Sequence, residues 1–393
     1  MEEAGRPHLH ALTGLRFVAA FQVLAYHGLA LNADAPWWLR SLVGSGYVGV
    51  SLFFVLSGFV LTYTYHDTLR DGRATRREFL AARVARIYPV YLLSLVVALP
   101  PLFWLFEAKH AAVPPGWLAR MVGAYAGLAQ AWDPNKACLL NCPAWSLSVE
   151  AFFYVAFLLV LPVVARWGAR RLLVAAVAAY ALTLLAPALY LALRPDGPAA
   201  PTPHGVGWWL YAVKYNPLVR LPEFVLGVLA GRLFLLDRAP PGRRDARLEV
   251  AAALAVGAVL LASPRIPYLP LHNGLLAPAF AVLVYALARG RGPLARVLST
   301  RVPVRLGAAS FALYILHIPL LAWLSRGYRV TGLTPPAQPW GFVVFAGLSV
   351  AVSLLVFATV EEPGRRALRR LLAPPRPGGR EAAEPAREVE LVA

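Results

Sequence analysis

Arg16 and His27 stand inside an apolar stretch, 9–31, that is long enough to cross a bilayer. They are eleven positions apart, which on an α-helix puts both on one face about 16 Å apart along the axis. A charged side chain within a membrane is costly unless it faces a protein interior or a water-filled cavity, and such residues mark functional paths. A guanidinium can hold an anion and an imidazole can move a proton, so this helix is expected to line a site.

Other ionisable residues fall at a comparable depth: Glu150 near the start of segment 145–165, Glu223 in 216–236 and His317 in 306–325. At about 1.5 Å per residue, these three and His27 stand within roughly 6–12 Å of the same boundary. A histidine base oriented by carboxylates is an acid/base set. Four separate interhelical hydrogen bonds are the plainer alternative. Near the opposite boundary Arg83 and Arg86 share a helix face, where their planar forks suit phosphate, although ordinary anchoring at a basic membrane face accounts for them as well. Ser146 and Ser148 lie at a helix start, where a hydroxyl caps as readily as it reacts, and no Gly-x-Ser-x-Gly elbow supports a serine nucleophile. Tyr154, one turn beyond Glu150, is a further site candidate.

The elements that must position these residues are membrane helices. Hydrophobic residues make up 59% of the 393 positions and charged residues 15%, with a mean hydropathy of +0.58, which excludes a soluble globular class. The formal charge of +18 does not form the stripe of a nucleic-acid binder, because the arginines gather at the ends of apolar segments. Ten such segments are expected to form an all-α polytopic bundle: 9–31, 47–65, 84–106, 145–165, 172–193, 216–236, 248–262, 274–288, 306–325 and 340–360. Most of the 38 Lys and Arg residues then fall on one side, which places both termini in the cytoplasm. Ala33 and Ala35 resemble a signal-cleavage site, but the segment before them is longer than a signal core and is expected to stay. The bundle is assigned to 1–362, and 363–393, rich in Arg, Pro, Gly, Ala and Glu, is expected to be a disordered cytoplasmic tail.

Segment 107–144 forms a long outer connection whose apolar part, 117–132, is expected to be re-entrant or interfacial. It holds both cysteines, Cys138 and Cys142, which on an oxidising face can form a disulfide or remain free thiols. No ligand cluster for a metal accompanies them.

Taken in order, the motifs resemble the membrane-bound acyltransferase-3 family. The resemblance is carried by Arg16 with His27, the stretch Gly49–Phe59, Arg83-x-x-Arg86-Ile87-Tyr88-Pro89, Trp145–Glu150, Pro222-Glu223-Phe224 with Gly227, and Tyr314 to His317. It implies about ten helices and transfer of an acyl group, often acetyl, from cytosolic acyl-CoA to a hydroxyl of a carbohydrate or of a secondary metabolite such as a macrolide. His27 would be the catalytic base and Glu150 part of the acceptor-side site, with Arg16, Arg83 and Arg86 holding the acyl-CoA. No permanently bound cofactor is implied, and the partners are acyl-CoA, a hydroxyl-bearing glycan or glycosylated small molecule, and the lipid bilayer. A transporter or flippase using Arg16 and His27 as a substrate or proton path is the rival reading. Three lysines against 35 arginines point to the cell membrane of a GC-rich bacterium.

Overall fold

The structure, a computed structural model, describes residues 8–108, 113–114 and 116–372, and every regular element among them is helical. Helix α1 (His10–Gly28) leads through a short α2 (Trp37–Gly44) into α3 (Gly49–Arg70), and α4 (Arg76–Ala108) follows. The connection after α4 carries α5 (Trp117–Ala126) before α6 (Trp145–Val164) and α7 (Ala169–Leu193). A short α8 (Trp208–Tyr215) precedes α9 (Pro217–Leu236), then α10 (Arg243–Ala262), α11 (Tyr268–His272) and α12 (Ala277–Arg289). Short α13 (Pro293–Leu298) and α14 (Arg301–Ala308) lead to α15 (Ser310–Thr331), α16 (Trp340–Val356) and, through a π-helical turn, α17 (Glu362–Leu372).

Among the described residues seven stretches are long and apolar enough to cross a membrane, or eight if α14 and α15, bent by 60°, form one broken span. Of the ten expected segments, those in α1 and α9 are not among them. Each carries polar residues that lower its hydropathy: Arg16, Gln22 and His27 in α1, and Arg220, Glu223 and Arg232 in α9. These two helices are therefore positioned by neighbouring protein. Residues 37–70, whose apolar window is 78% buried, occupy the centre, against 22% for α7 and 17% for α10 on the periphery.

In lipid no hydrophobic drive holds helices together, so close packing through small residues takes its place. Helix α9 starts on Asn216, whose side chain accepts from Leu218 N–H, with Pro217 in the first turn. It then crosses α3 where Gly58 faces Phe224 and Gly227 faces Val55, backbone against backbone. A methyl group on Gly227 would run into the Val55 carbonyl and the Phe59 backbone, which cannot swing aside as a side-chain end could. Gly227→Ala should cost about 1–3 kcal/mol, read as a lower unfolding temperature of the detergent-solubilised protein. An unchanged temperature would show that the two helices are not pressed together there.

The connection after α4 packs against the bundle. Helix α5 ends at Ala126, and the buried Tyr125 hydroxyl donates to the Lys136 carbonyl (2.9 Å) and accepts from Leu140 N–H (3.1 Å). Cys138 and Cys142 are disulfide-bonded beside Asn141, whose amide donates to the Ile315 carbonyl of α15 (2.9 Å). Ser148 of α6 donates to the Leu128 carbonyl, so this segment is tied to both α6 and α15. It is a cap held to the helices that it covers by hydrogen bonds from Asn141 and Ser148.

The tail expected to be disordered from 363 onward starts as helix. Glu362 accepts from Arg365 and Arg366 at 2.8 Å each, pairs one turn apart that support α17, and Gly364 packs on Pro89 of α4. Residues 373–393 lie outside the described residues.

Candidate functional site

Side chains from five helices converge on one cavity. On α6, Ser146, Glu150 and Tyr154 recur every four residues and so face one way. They line the cavity with Arg16 of α1, Ser57 of α3, Arg86 of α4 and Tyr314 of α15. Glu150 accepts from the Tyr154 hydroxyl (2.8 Å) and from Ser57 (3.2 Å), and lies within charge range of Arg16. Ser146 donates to the Pro143 carbonyl and shares a hydrogen bond with the Tyr314 hydroxyl, both at 2.9 Å. Its hydroxyl is thus engaged in neither capping nor nucleophilic activation.

Arg86 forms a buried pair with Glu361 from the π-helical turn before α17, and its guanidinium lies 5.5 Å over the Phe311 ring. Arg83 stands behind the cavity wall, donating to the Tyr65 hydroxyl at 3.0 Å and lying 5.9 Å over Tyr154. Arg16, Arg83 and Arg86 therefore form a cationic cluster within charge range of one another. One carboxylate in the cavity and one behind it offset part of this charge. Such a cluster can hold an anion with several negative oxygens.

His27 is not among the residues lining this cavity, and Glu150 is not beside it. The carboxylate expected to orient the imidazole is replaced by another histidine: His317 Nε2 lies 3.1 Å from His27 Nδ1. The hydrogen positions follow from what each group can do. The Tyr314 carbonyl, 2.6 Å from His317 Nδ1, only accepts, so that nitrogen carries the hydrogen. His317 Nε2 is then a lone pair facing His27 Nδ1–H, which the Val23 carbonyl also receives at 3.0 Å. His27 Nε2 is left with the lone pair. His317 is fully buried, whereas His27 reaches the surface. The pair and the cavity are joined through α15, where Tyr314 lines the cavity with its ring and holds His317 with its carbonyl.

Glu223 belongs to neither group. Arg220 Nε lies 3.0 Å from its carboxylate, and the same guanidinium donates to the His272 carbonyl (2.7 Å) and Ser51 (3.0 Å). Both partners are fully buried, behind Phe54 and Trp145, whose rings the guanidinium covers at 5.3 and 5.7 Å. This network braces α9 against α3 and α11. Sequence reasoning missed Arg220, Glu361 and the relation of Tyr314 to His317. The spacing of Arg220 and Glu223 was the signal for the first, and the acidic pair after the last apolar segment the signal for the second.

Near His27 the surface is aromatic. Tyr26 lies edge-on to His27 and to Tyr47, with ring centroids 4.8 and 5.6 Å away, and Tyr47 lies 5.1 Å from Tyr268. Lys214 of α8 sits over the Tyr211, Tyr215 and Tyr268 rings at 5.1–5.6 Å. Burial pushes its ammonium down to about 8, so at neutral pH it remains charged and these contacts are cation–π.

Similarity to known proteins covers most of this arrangement. The family model for an acyltransferase domain matches residues 9–358. The acyltransferase MdmB of Streptomyces mycarofaciens is 31% identical over 92% of this chain and 93% of its own length. The exopolysaccharide production protein ExoZ of Rhizobium meliloti is 28% identical over 81% and 89%. The peptidoglycan O-acetyltransferase OatA of Listeria monocytogenes is 22% identical over 92% of this chain and 56% of its own length. No solved structure matches. A multi-helix membrane protein with ionisable groups gathered inside it, matched from α1 to the π-helical turn, belongs to the acyltransferase-3 family and is an acyltransferase.

Proposed function

We propose that the protein moves an acyl group, acetyl in the simplest case, from acyl-CoA to a hydroxyl of a carbohydrate or a secondary metabolite, with His27 as the base. The observation that carries this reading is the hydrogen-bond order Tyr314 carbonyl, His317, His27, which leaves the His27 Nε2 lone pair at an open surface. The acceptor hydroxyl gives its proton to Nε2 as its oxygen attacks the thioester carbonyl. The carbon–sulfur bond breaks, and the departing sulfur takes that proton from the imidazolium, so that the coenzyme leaves as a thiol. His317 stabilises the imidazolium by accepting from its Nδ1–H.

The donor is assigned to the cationic cavity. Arg16 and Arg86 in its wall, with Arg83 behind, match the phosphates of a coenzyme A, and Phe53, Phe54 and Phe311 offer the thioester arm an apolar path. The axial distance of about 16 Å between Arg16 and His27 is of the order that such an arm spans. Membership in an acyltransferase family leaves the transport reading of Arg16 and His27 without support. The protein acts in the cell membrane, with both termini and the arginine cluster toward the cytoplasm.

Membranes containing the protein should transfer label from radiolabelled acetyl-CoA to an acceptor, and no labelled product above control membranes would overturn the reading. Arg16→Gln should raise the KM for acetyl-CoA by about 10-fold or more, the worth of a lost charged hydrogen bond, with the acceptor KM little changed. A rise confined to the acceptor KM would move Arg16 to the acceptor side.

A further inference from the structure

Tyr26, His27 and Gly28 are consecutive at the end of α1, and each borders a different environment. Tyr26 joins the row formed with Tyr47 and Tyr268, three half-buried rings in edge-to-face order. Behind the row, the Lys214 ammonium donates to the Pro203 carbonyl (3.1 Å), and the same connection brings His204 within charge range of His27. Gly28, on the other side, lines a cleft of about 400 Å³ between α15 and α16, open to the exterior. Leu321, Leu324 and Phe345 make its walls apolar, and Tyr328 and Arg329 supply polar groups.

We propose that the acceptor is an amphipathic glycoside: a pyranose ring resting on Tyr26, Tyr47 and Tyr268, an apolar aglycone in the Gly28 cleft, and the reacting hydroxyl between them at His27. This rests on the acyl-transfer reading given above and narrows it. Half-buried tyrosines present an apolar ring and a polar tip, which suits the C–H faces and hydroxyls of a sugar. The cleft has the size and the mostly apolar lining, with a few polar groups, of small-molecule sites. A long polysaccharide would leave that apolar space unused. A lipid chain would have no use for Tyr328 and Arg329, nor for the tyrosine row across the base.

The test is acylation by the purified full chain with radiolabelled acetyl-CoA and three probes: octyl β-D-glucopyranoside below its micelle concentration, methyl β-D-glucopyranoside and 1-octanol. The octyl glucoside should exceed both others in kcat/KM by on the order of 10-fold or more, since it alone fills both subsites. Tyr47→Ala should shrink its advantage over 1-octanol, while Tyr47→Phe keeps most of it. Leu324→Trp, which fills the cleft, should shrink its advantage over methyl glucoside. An unfolding temperature close to the parent's shows each variant folded, and for any variant that fails this check Tyr47→Phe and the parent's probe ratios still decide. Equal kcat/KM for the three probes, or ratios that both substitutions leave alone, would overturn the proposal. So would His27-dependent consumption of acetyl-CoA with neither glucoside acylated, and in that case the acyl-transfer reading survives. No consumption with any acceptor would overturn that reading and this one together.

Discussion

His27→Ala should lower the rate of acyl transfer by about 10²–10⁴-fold while the protein stays folded in the membrane, because it removes the one group placed to take the acceptor proton. The KM for acyl-CoA should hardly move, since the arginine cavity does not include His27. His317 acts through His27 and is a positioning residue. With His317→Ala the Nδ1–H of His27 keeps the Val23 carbonyl but loses its second acceptor, so the imidazolium is less stabilised. The expected loss in kcat is on the order of 10–10³-fold. His317→Gln, whose amide oxygen can accept from Nδ1–H, should recover part of it, and a merely space-filling role would instead be rescued by His317→Phe. Single-turnover transfer of label from acetyl-CoA measures both variants. Full activity in a folded His27→Ala protein would remove His27 from the mechanism.

Glu223→Ala should act on stability first. It leaves Arg220, fully buried and held by Ser51 and His272, without its counter-charge, and breaking such a pair costs about 3–5 kcal/mol. That is a large part of what keeps a domain folded. The expected signs are a marked fall in unfolding temperature and in the amount of protein recovered in detergent. The double variant Arg220→Met with Glu223→Leu removes the stranded charge and should regain much of the loss. A Glu223→Ala protein with parental stability but a collapsed kcat would place the carboxylate in the chemistry.

The sites were legible in the sequence to different depths. An ionisable residue in an apolar segment announces itself, so Arg16, His27, Glu150, Glu223 and His317 could all be picked out from one chain. Helical periodicity also paired Arg16 with His27 and Arg83 with Arg86. What could not be read is which of these groups meet. That depends on the rotation of each helix against its neighbours, set by close approaches such as Gly58 to Phe224 and Gly227 to Val55, which leave no periodic signal. Glu150 and His317 looked equivalent by depth, yet one turns toward Arg16 and the other toward His27. Hydropathy, too, records each helix apart from its partners. Helices α1 and α9 are kept in place by buried partners, so their own hydropathy understates them.

Residues after the last long helix also contribute. The match to the family model ends at residue 358, whereas Glu361, the buried partner of Arg86, lies beyond that point. A shortened gene trimmed to the matched region would therefore remove an anchor from the wall of the arginine cavity, together with the helix that rests on Pro89. Reporters or affinity tags are better joined after residue 372 than at the end of the matched region.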